Sequence, residues 1–407
     1  MGNSEGIFSS VFSKEHLLVK ESPLKIKKGK KKLIIGIPKE VQYQENRIAL
    51  IPNSVHNLIL HGHEVIIESG AGEKSFYSDN DFSEAGAEIT LSKKRVFESD
   101  IILKICPPTM EELDMFTSGQ VLISPLQLPT TSKEYLDKLL NKRVIAIAME
   151  YMQAEDSSFP IVKIMGEITG TVAILTAAEY LSDPKLGKRV LLGGISGVPP
   201  AKVVILGAGN VGEYATKTAL SLGASVRIFD DDIYKLMQLK SRIGRHLHTS
   251  TFDPVYLQYQ LLSADVLITA LHSDTGRVPV VVTEDMVIKM KKGSVIIDIS
   301  IDQGGSVETS KITTHENPIF VKHDVIHYCV PNIPSKVSRT ASNAISNILT
   351  PLLLKTGAMN SFESLFYDNI GLMNGVYTYK GNLTNEFLAN YFKIKYTSLD
   401  LLLTAGL

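Results

Sequence analysis

The feature that most constrains the fold is a glycine-rich turn between an apolar strand and a helix. Residues Gly207-Ala208-Gly209-Asn210-Val211-Gly212 match the pattern G-x-G-x-x-G. The pattern alone is a weak signal, but an apolar strand at 203–206 precedes it and an alanine-rich helix follows it. A second strand, at 225–229, ends in the acid Asp230, near the separation of about 20 residues that this fingerprint requires. The context therefore predicts a βαβ unit that binds a dinucleotide.

Each residue of the turn has a physical task. Gly207 permits the tight turn, Gly209 lets the main chain approach a pyrophosphate, and Gly212 allows the helix to pack closely on the strand. The helix N-terminus offers free N–H groups to the phosphates. Asp230 accepts hydrogen bonds from the ribose hydroxyls and would repel a 2′-phosphate, which favours NAD over NADP. The alternatives are a Rossmann-like domain that has lost its ligand and one that binds another nucleotide.

A second α/β array precedes the glycine turn. Short apolar runs that read as strands alternate with helical stretches, which predicts parallel sheets with right-handed crossovers. These runs lie at 33–38, 63–68, 100–105, 120–123 and 144–148. We therefore predict an α/β fold of two Rossmann-like domains with parallel sheets flanking a cleft. The predicted division is a basic disordered arm (1–32), a discontinuous substrate domain (33–162 plus 341–407) and an NAD-binding domain (163–340).

Composition excludes several classes of protein. Lys plus Arg number 42 against 43 Asp plus Glu, so the net charge of −1 provides no field to attract nucleic acid or an anionic membrane. We expect no apolar run of the roughly 18 to 20 residues that span a bilayer. The two cysteines, Cys106 and Cys329, lack the spacing of a metal site, so we predict free thiols, no metal and a cytoplasmic protein.

Several separated motifs resemble one family. The residues IPKE at 37–40 and ENRIA at 45–49 resemble the N-terminal signature shared by alanine dehydrogenases and nicotinamide nucleotide transhydrogenase α-chains. The runs DISIDQGG at 298–305 and YCVPNIP at 328–334 are similar to alanine dehydrogenases more than to transhydrogenases. The resemblance covers roughly residues 33–355, and the motifs stand in the family's order.

The resemblance implies roles for particular residues. Arg47 matches the arginine that holds the substrate carboxylate, and a guanidinium suits that task because it binds a carboxylate with two prongs. Asp302 matches the aspartate beside the nicotinamide, where a carboxylate can act as a general base or orient water. Further cofactor contacts are implied for Asn210, Val211, Asp230, Lys235, Leu271, Ile299, Ser300, Ile301, Val330, Asn332 and Ile333.

Two positions depart from the family. Cys106 stands where the family has a substrate-binding lysine, and Gln127 stands where it has a catalytic histidine. Cysteine supplies no fixed positive charge, and glutamine transfers no proton near neutral pH, although it can donate a hydrogen bond to a carbonyl. Lys104, two positions before Cys106, should point to the same face of its strand, so it is a candidate to replace the missing charge. The alternative for Lys104 is a lysine at the cleft edge.

These observations predict an NAD-dependent amino-acid dehydrogenase that converts L-alanine to pyruvate and ammonium, reversibly, in a homo-oligomer that the resemblance suggests is a hexamer. Two alternatives remain open. One is a related dehydrogenase, saccharopine-like or transhydrogenase-like, that acts on another substrate. The other is an NAD-binding sensor with impaired catalysis.

Overall fold

The computed structural model describes residues 32–42, 44–127, 131–273, 276–359, 366 and 370–404. It contains two mostly parallel sheets with helices on their faces, as the α/β prediction requires. Most of the basic arm lies outside the described residues. The strands are β1 (Ile34–Ile37), β2 (Glu64–Glu68), β3 (Glu88–Thr90), β4 (Ile101–Leu103), β5 (Val121–Ser124), β6 (Ile145–Ala148), β7 (Lys202–Leu206), β8 (Ser225–Phe229), β9 (His248–Ser250), β10 (Val266–Thr269), β11 (Val295–Asp298), β12 (Ile319–Lys322), β13 (Val325–Tyr328), β14 (Val376–Tyr379) and β15 (Asn382–Leu383).

Helices cover the faces of both sheets and bury their apolar sides against the strands. The described helices are α1 (Pro52–Leu60), α2 (Asp79–Glu84), α3 (Lys93–Phe97), α4 (Met110–Met115), α5 (Lys133–Asn141), α6 (Pro160–Ser182), α7 (Asn210–Ser221), α8 (Ile233–Ile243), α9 (Pro254–Leu262), α10 (Glu284–Ile288), α11 (Ser338–Met359), α12 (Ile370–Met373), α13 (Glu386–Phe392) and α14 (Leu399–Thr404). Short 3₁₀ turns follow four of the strands or loops, at Glu73–Ser75, Met149–Tyr151, Ile299–Gln303 and Ile333–Val337.

The strand order of each sheet reverses at one point. The first sheet has the order β15-β14-β6-β5-β4-β1-β2-β3, and the second has the order β12-β13-β11-β10-β7-β8-β9. In the first sheet, β2 and β3 lie on one side of β1, and the chain then crosses to the other side of β1 to form β4. In the second sheet, β8 and β9 lie on one side of β7, and β10 lies on the other. Ligands of open α/β sheets bind outside the carboxyl ends of the strands at such reversals. The two reversal points are where the sequence motifs lie.

The sheets differ from the all-parallel prediction at their edges. β14 pairs antiparallel with β6, and β15 pairs antiparallel with β14. In the second sheet, β12 pairs antiparallel with β13. A two-residue turn links β12 to β13 and another links β14 to β15. Such short connections permit only antiparallel pairing, whereas parallel neighbours need a crossover.

Helix α6 leads from the first sheet into the second and packs on α7. A Cβ atom at Gly170 would lie 2.4 Å from the carbonyl oxygen of Val211, so glycine is needed for this close approach. The expectation that no segment is long and apolar enough to span a bilayer is wrong for α6 by length and composition. More than half of its apolar window is buried inside the protein, which is typical of a core helix.

Candidate functional site

A cavity of about 1090 Å³ lies between the carboxyl ends of the two sheets. Its walls come from both halves of the molecule, and its volume is at the upper end of the range for ligand sites. The lining residues include Gln44, Arg47, Leu126, Gln127, Glu150, Tyr151, His272, Ser273, Asp302, Gln303, Thr313, Asn332, Asn385 and Phe387. Four of the predicted site residues, Arg47, Gln127, Asp302 and Asn332, are thus brought to one cavity.

The glycine turn has the geometry that its sequence predicts. Gly207 has a φ of +103°, and a Cβ atom there would lie 2.4 Å from the carbonyl oxygen of Ala270, at the end of β10. A Cβ atom at Gly212 would lie 1.8 Å from the carbonyl oxygen of Gly207, so the turn closes on the helix that follows. A Cβ atom at Gly209 would meet nothing within 4 Å. This open space above the N-terminus of α7 fits a pyrophosphate.

Asp230 follows β8 and is joined to the glycine turn. One carboxylate oxygen accepts a hydrogen bond from the Ala208 main-chain N–H at 2.6 Å, and the other accepts one from the Asp232 N–H at 2.8 Å. Each oxygen keeps a second lone pair, which suits a ribose hydroxyl. Lys235 lies nearby in the first turn of α8, where its ammonium is 4.0 Å from Asp232.

Four of the other predicted cofactor residues form two pairs. Leu271 and Ser300 join the ends of β10 and β11, because the Leu271 N–H donates to the Ser300 hydroxyl at 2.9 Å and the same hydroxyl donates to the Leu271 carbonyl at 2.9 Å. Val330 and Ile333 are buried in the core of the second half. Contact from these two positions to a bound molecule would therefore come from their main chain.

Arg47 lies in the loop after β1 and is held by its neighbour Glu45. The Nε and Nη2 atoms of Arg47 donate to the two carboxylate oxygens of Glu45 at 2.7 and 2.6 Å. Burial alone would lower the pKa of Arg47, but the Glu45 charge outweighs it and raises that pKa. Burial would likewise raise the pKa of Glu45, and the charge and hydrogen bonds of Arg47 lower it. Both groups are therefore ionised, and the Nε–Nη2 edge of the guanidinium is occupied by Glu45.

Glu45 also ties the first half of the molecule to the second. Its Oε2 atom accepts a hydrogen bond from the Asn332 side chain at 2.8 Å, and Asn332 has a φ of +59° in the loop after β13. The Ser335 hydroxyl accepts from the Asn46 N–H at 2.8 Å. Glu45 is fully buried, so this carboxylate holds Arg47 and the loop after β13 in one arrangement.

Cys106 and Lys104 follow β4 at the reversal point of the first sheet. The Cys106 thiol lies 3.7 Å from Glu45 Oε2, and burial raises the pKa of this thiol, so it is neutral. Lys104 is 1% exposed, and its ammonium pairs with Glu40 at 2.8 Å and with Glu112 at 3.3 Å. The geometry does not meet the prediction that Lys104 contacts the substrate, because two buried carboxylates hold its charge away from the cavity.

Gln127 occupies the loop after β5 in a left-handed conformation, with a φ of +49°. The N–H groups of Leu126 and Gln127 donate to Glu150 Oε1 at 2.8 and 3.1 Å. Glu150 follows β6, and burial raises the pKa of its carboxyl. Its other oxygen, Oε2, is buried without a hydrogen-bond partner within the described residues.

Asp302 lies in the 3₁₀ turn after β11 and faces the cavity. Its side chain is exposed to the cleft, yet the surrounding protein partly desolvates the carboxyl, which raises its pKa. His272 opposes this rise, and the neighbouring Asp298 adds to it. Asp298 itself is buried and accepts a hydrogen bond from the Thr269 hydroxyl at 2.6 Å, so it joins the ends of β10 and β11.

Sequence reasoning missed several lining residues. Glu150 and Tyr151 follow the strand predicted at 144–148, and His272 follows the apolar strand β10, so their place at the carboxyl ends of parallel strands was an available signal. Asn385 and Phe387 come from the C-terminal segment after β15. No periodic or spacing pattern links that segment to the cavity, and only the three-dimensional structure does.

Comparison with known proteins identifies relatives over most of the chain. Sequence models of the alanine dehydrogenase/PNT N-terminal and C-terminal domains match residues 36–169 and 173–386. Alanine dehydrogenase 2 of Staphylococcus aureus (strain USA300) is 41% identical over 367 residues, which cover 90% of this chain and 98% of that protein. An L-alanine dehydrogenase structure aligns with a TM-score of 0.81 and 34% identity, covering 89% of this chain and 99% of that one. A transhydrogenase from Sinorhizobium meliloti shares the fold, with a TM-score of 0.73 and 24% identity over 87% of this chain and 99% of that one.

Proposed function

The chain belongs to the alanine dehydrogenase/PNT family, and from this premise we propose that it catalyses the reversible NAD-dependent oxidative deamination of L-alanine to pyruvate and ammonium. The observation that carries the proposal is the meeting of Arg47 and Asp302 at one cavity. Arg47 comes from the reversal point of one sheet, and Asp302 comes from the carboxyl edge of the other. A small amino acid and a nicotinamide can therefore face each other between them.

NAD is the cofactor that these residues fit. The open space at Gly209 and the free N–H groups of α7 suit a pyrophosphate, and the Asp230 carboxylate suits a ribose diol and opposes a 2′-phosphate. The segment from Ala270 to Ser273 runs from the glycine turn to the cavity wall. This continuity supports a dinucleotide that lies across the turn with its nicotinamide end in the cavity.

In the proposed mechanism, the substrate carboxylate binds the guanidinium nitrogens of Arg47 that Glu45 leaves open. Glu45 holds Nε and Nη2, and Nη1 donates to the Met165 sulfur at 3.3 Å, so the substrate carboxylate would take the N–H groups that these contacts leave. NAD+ supplies the hydride acceptor when bound. Asp302 takes a proton as water adds to the imine, and burial raises its pKa, which makes this carboxylate a better proton acceptor than an ordinary aspartate.

The departures at Cys106 and Gln127 reduce the charge of the site. With a neutral thiol at position 106, Arg47 is the cation at the cavity wall on this side, and Glu45 already balances its charge. Gln127 can orient the substrate carbonyl through its amide, but it cannot supply a proton. These features favour slower turnover than a site with lysine and histidine would give, and they keep the NAD-binding sensor as a second candidate.

A spectrophotometric screen of NADH oxidation with ammonium and a panel of 2-oxo acids tests the proposal. We expect turnover with pyruvate, and we expect an Asp302→Asn variant to lower kcat by about 10²-fold while NADH still binds. Saccharopine-like chemistry would instead require lysine rather than ammonium. NADH binding measured by fluorescence, with no turnover of any oxo acid, would establish the sensor and contradict the enzyme.

We also propose the arrangement that the family membership suggests. The substrate half would comprise residues 33–162 and 341–407, and the NAD half residues 163–340. The membership of β14 and β15 in the first sheet supports a discontinuous substrate half. The protein is proposed to be a cytoplasmic homo-oligomer, which size-exclusion chromatography with light scattering would test against a monomer.

A further inference from the structure

We propose that Glu150 is the proton-transfer group that works in place of the histidine absent at position 127, an inference that rests on the proposed function. Glu150 lines the cavity at the end of β6, next to the Gln127 loop. One carboxylate oxygen is held in place, because Oε1 accepts hydrogen bonds from the main-chain N–H groups of Leu126 and Gln127. The other oxygen is left to act on a ligand.

The unsatisfied oxygen is the central observation. Glu150 lines the cavity, and its Oε2 atom is buried and accepts no hydrogen bond from any described residue. A buried polar atom in a native protein is normally satisfied, and an exception at a cavity wall indicates a missing ligand or water. Because the final torsion of a glutamate side chain is soft, a small rotation lets this oxygen meet a bound molecule without movement of the main chain.

The surroundings of Glu150 favour its protonated form. Burial raises the pKa of the carboxyl, and the hydrogen bonds from the main chain only partly oppose that rise. The titratable side chains that interact with it are Tyr135 of α5 and Tyr377 of β14. Both are buried, and their hydroxyl oxygens lie 3.4 Å apart. Burial raises the pKa of both phenols, so they stay neutral and provide no charge to ionise Glu150.

The strain in the loop points the same way. Gln127 is held at a positive φ that non-glycine residues seldom adopt, and its N–H group donates to Glu150. Strained backbone of this kind persists where surrounding contacts determine it and is concentrated at functional sites. Glu150 therefore holds the main-chain N–H of Gln127 in place, and its own carboxyl belongs to the same wall of the cavity.

The proton balance of the reductive direction is complete with these groups. Ammonia forms a C–N bond with the keto carbon of pyruvate, and the carbonyl π pair moves to oxygen, which takes the proton of Glu150. The nitrogen returns a proton to the Glu150 carboxylate, and Asp302, in the reverse of the step in which it takes a proton from water, gives a proton to the hydroxyl. The C–O bond breaks, water leaves and the C=N bond forms. Asp302 recovers its proton from the one that ammonium lost before it reacted, and a bound NADH would supply the hydride.

The test compares Glu150→Gln with the exposed control Glu155→Gln in the full-length protein. The glutamine oxygen at position 150 can still accept the two N–H groups, so the loop keeps its support, but the amide cannot transfer a proton. We expect E150Q to lower kcat with pyruvate by about 10²-fold or more, with little change in KM, and to remove one limb of the pH profile of kcat. E155Q should behave as the wild type. Wild-type activity in E150Q would overturn the inference and leave the proposed function intact.

A second measurement keeps the inference testable if the wild type turns over no oxo acid. In infrared spectra of the ligand-free protein recorded at rising pH, a protonated-carboxyl band should persist after the exposed carboxyls have ionised, and E150Q should lack this band while E155Q retains it. If the band is present without turnover, the proposed function fails and the protonated Glu150 stands. If E150Q leaves the spectrum unchanged, Glu150 carries no proton to donate and the inference fails.

Discussion

The nucleotide half and the substrate half of this molecule follow their sequence motifs to different degrees. In the nucleotide half, the motif specifies backbone geometry, and the structure meets it at Gly207 and Gly212. In the substrate half, the signature around Arg47 is present, yet Cys106 and Gln127 stand where the resemblance predicts a lysine and a histidine. A tight turn leaves no room for a side chain at its glycines, so no other residue can replace them. A proton or a charge, in contrast, can be supplied by a side chain at a neighbouring position. The first kind of motif therefore predicts more reliably than the second.

The largest effect should come from the turn itself. Gly212→Ala places a methyl group 1.8 Å from the Gly207 carbonyl oxygen, so main chain must move. We expect a loss of about 3 kcal/mol or more in the free energy of unfolding, together with loss of NADH binding. Thermal unfolding and NADH fluorescence would measure both.

Gly209→Ala is the matched control, because its methyl group would meet nothing within 4 Å. The melting temperature should stay within a few degrees of the wild type, with weaker NADH binding because the methyl group enters the space for the pyrophosphate. If G212A binds NADH as well as the wild type does, the steric account of this half is wrong.

The next effect tests the arginine of the substrate half. Arg47→Lys keeps the positive charge beside the buried Glu45 but loses the two-pronged geometry. We expect the KM for pyruvate to rise by about 100-fold, which corresponds to the loss of a charge-assisted hydrogen-bond pair. The Kd for NADH should not change. An unchanged KM in steady-state kinetics would show that the carboxylate binds elsewhere.

The smallest effect restores the charge that the family has at position 106. Cys106→Lys brings an ammonium beside Glu45. The added charge balances part of the Glu45 carboxylate, so the positive charge of Arg47 attracts the substrate carboxylate more strongly. We expect the KM for pyruvate to fall by about 10-fold, equivalent to roughly 1.4 kcal/mol. The neutral, near-isosteric Cys106→Ser should match the wild type. A rise in KM for C106K would mean that the added side chain blocks the cavity instead.

The limits of prediction from sequence follow the same division. Apolar runs and the glycine turn predicted the α/β fold, because hydrophobic periodicity and backbone sterics are local properties. The antiparallel edge formed by β14 depends on pairing with β6, which lies far away in the chain and leaves no local signal. Lys104 illustrates the problem for the site: the expectation that it shares a strand face with Cys106 is wrong, because β4 ends at Leu103, and only the fold reveals Glu40 and Glu112 around its ammonium.

The late pairing of β14 with β6 has a consequence for biosynthesis. Domains generally fold in the order in which they leave the ribosome, yet the edge of β6 has no partner until residues 376–379 have been made. Until then, the nascent first sheet presents an unpaired strand of apolar residues, which is the kind of edge that recruits other chains. The intervening nucleotide half can complete its own sheet during this interval, so the order of synthesis makes the substrate half the last to close.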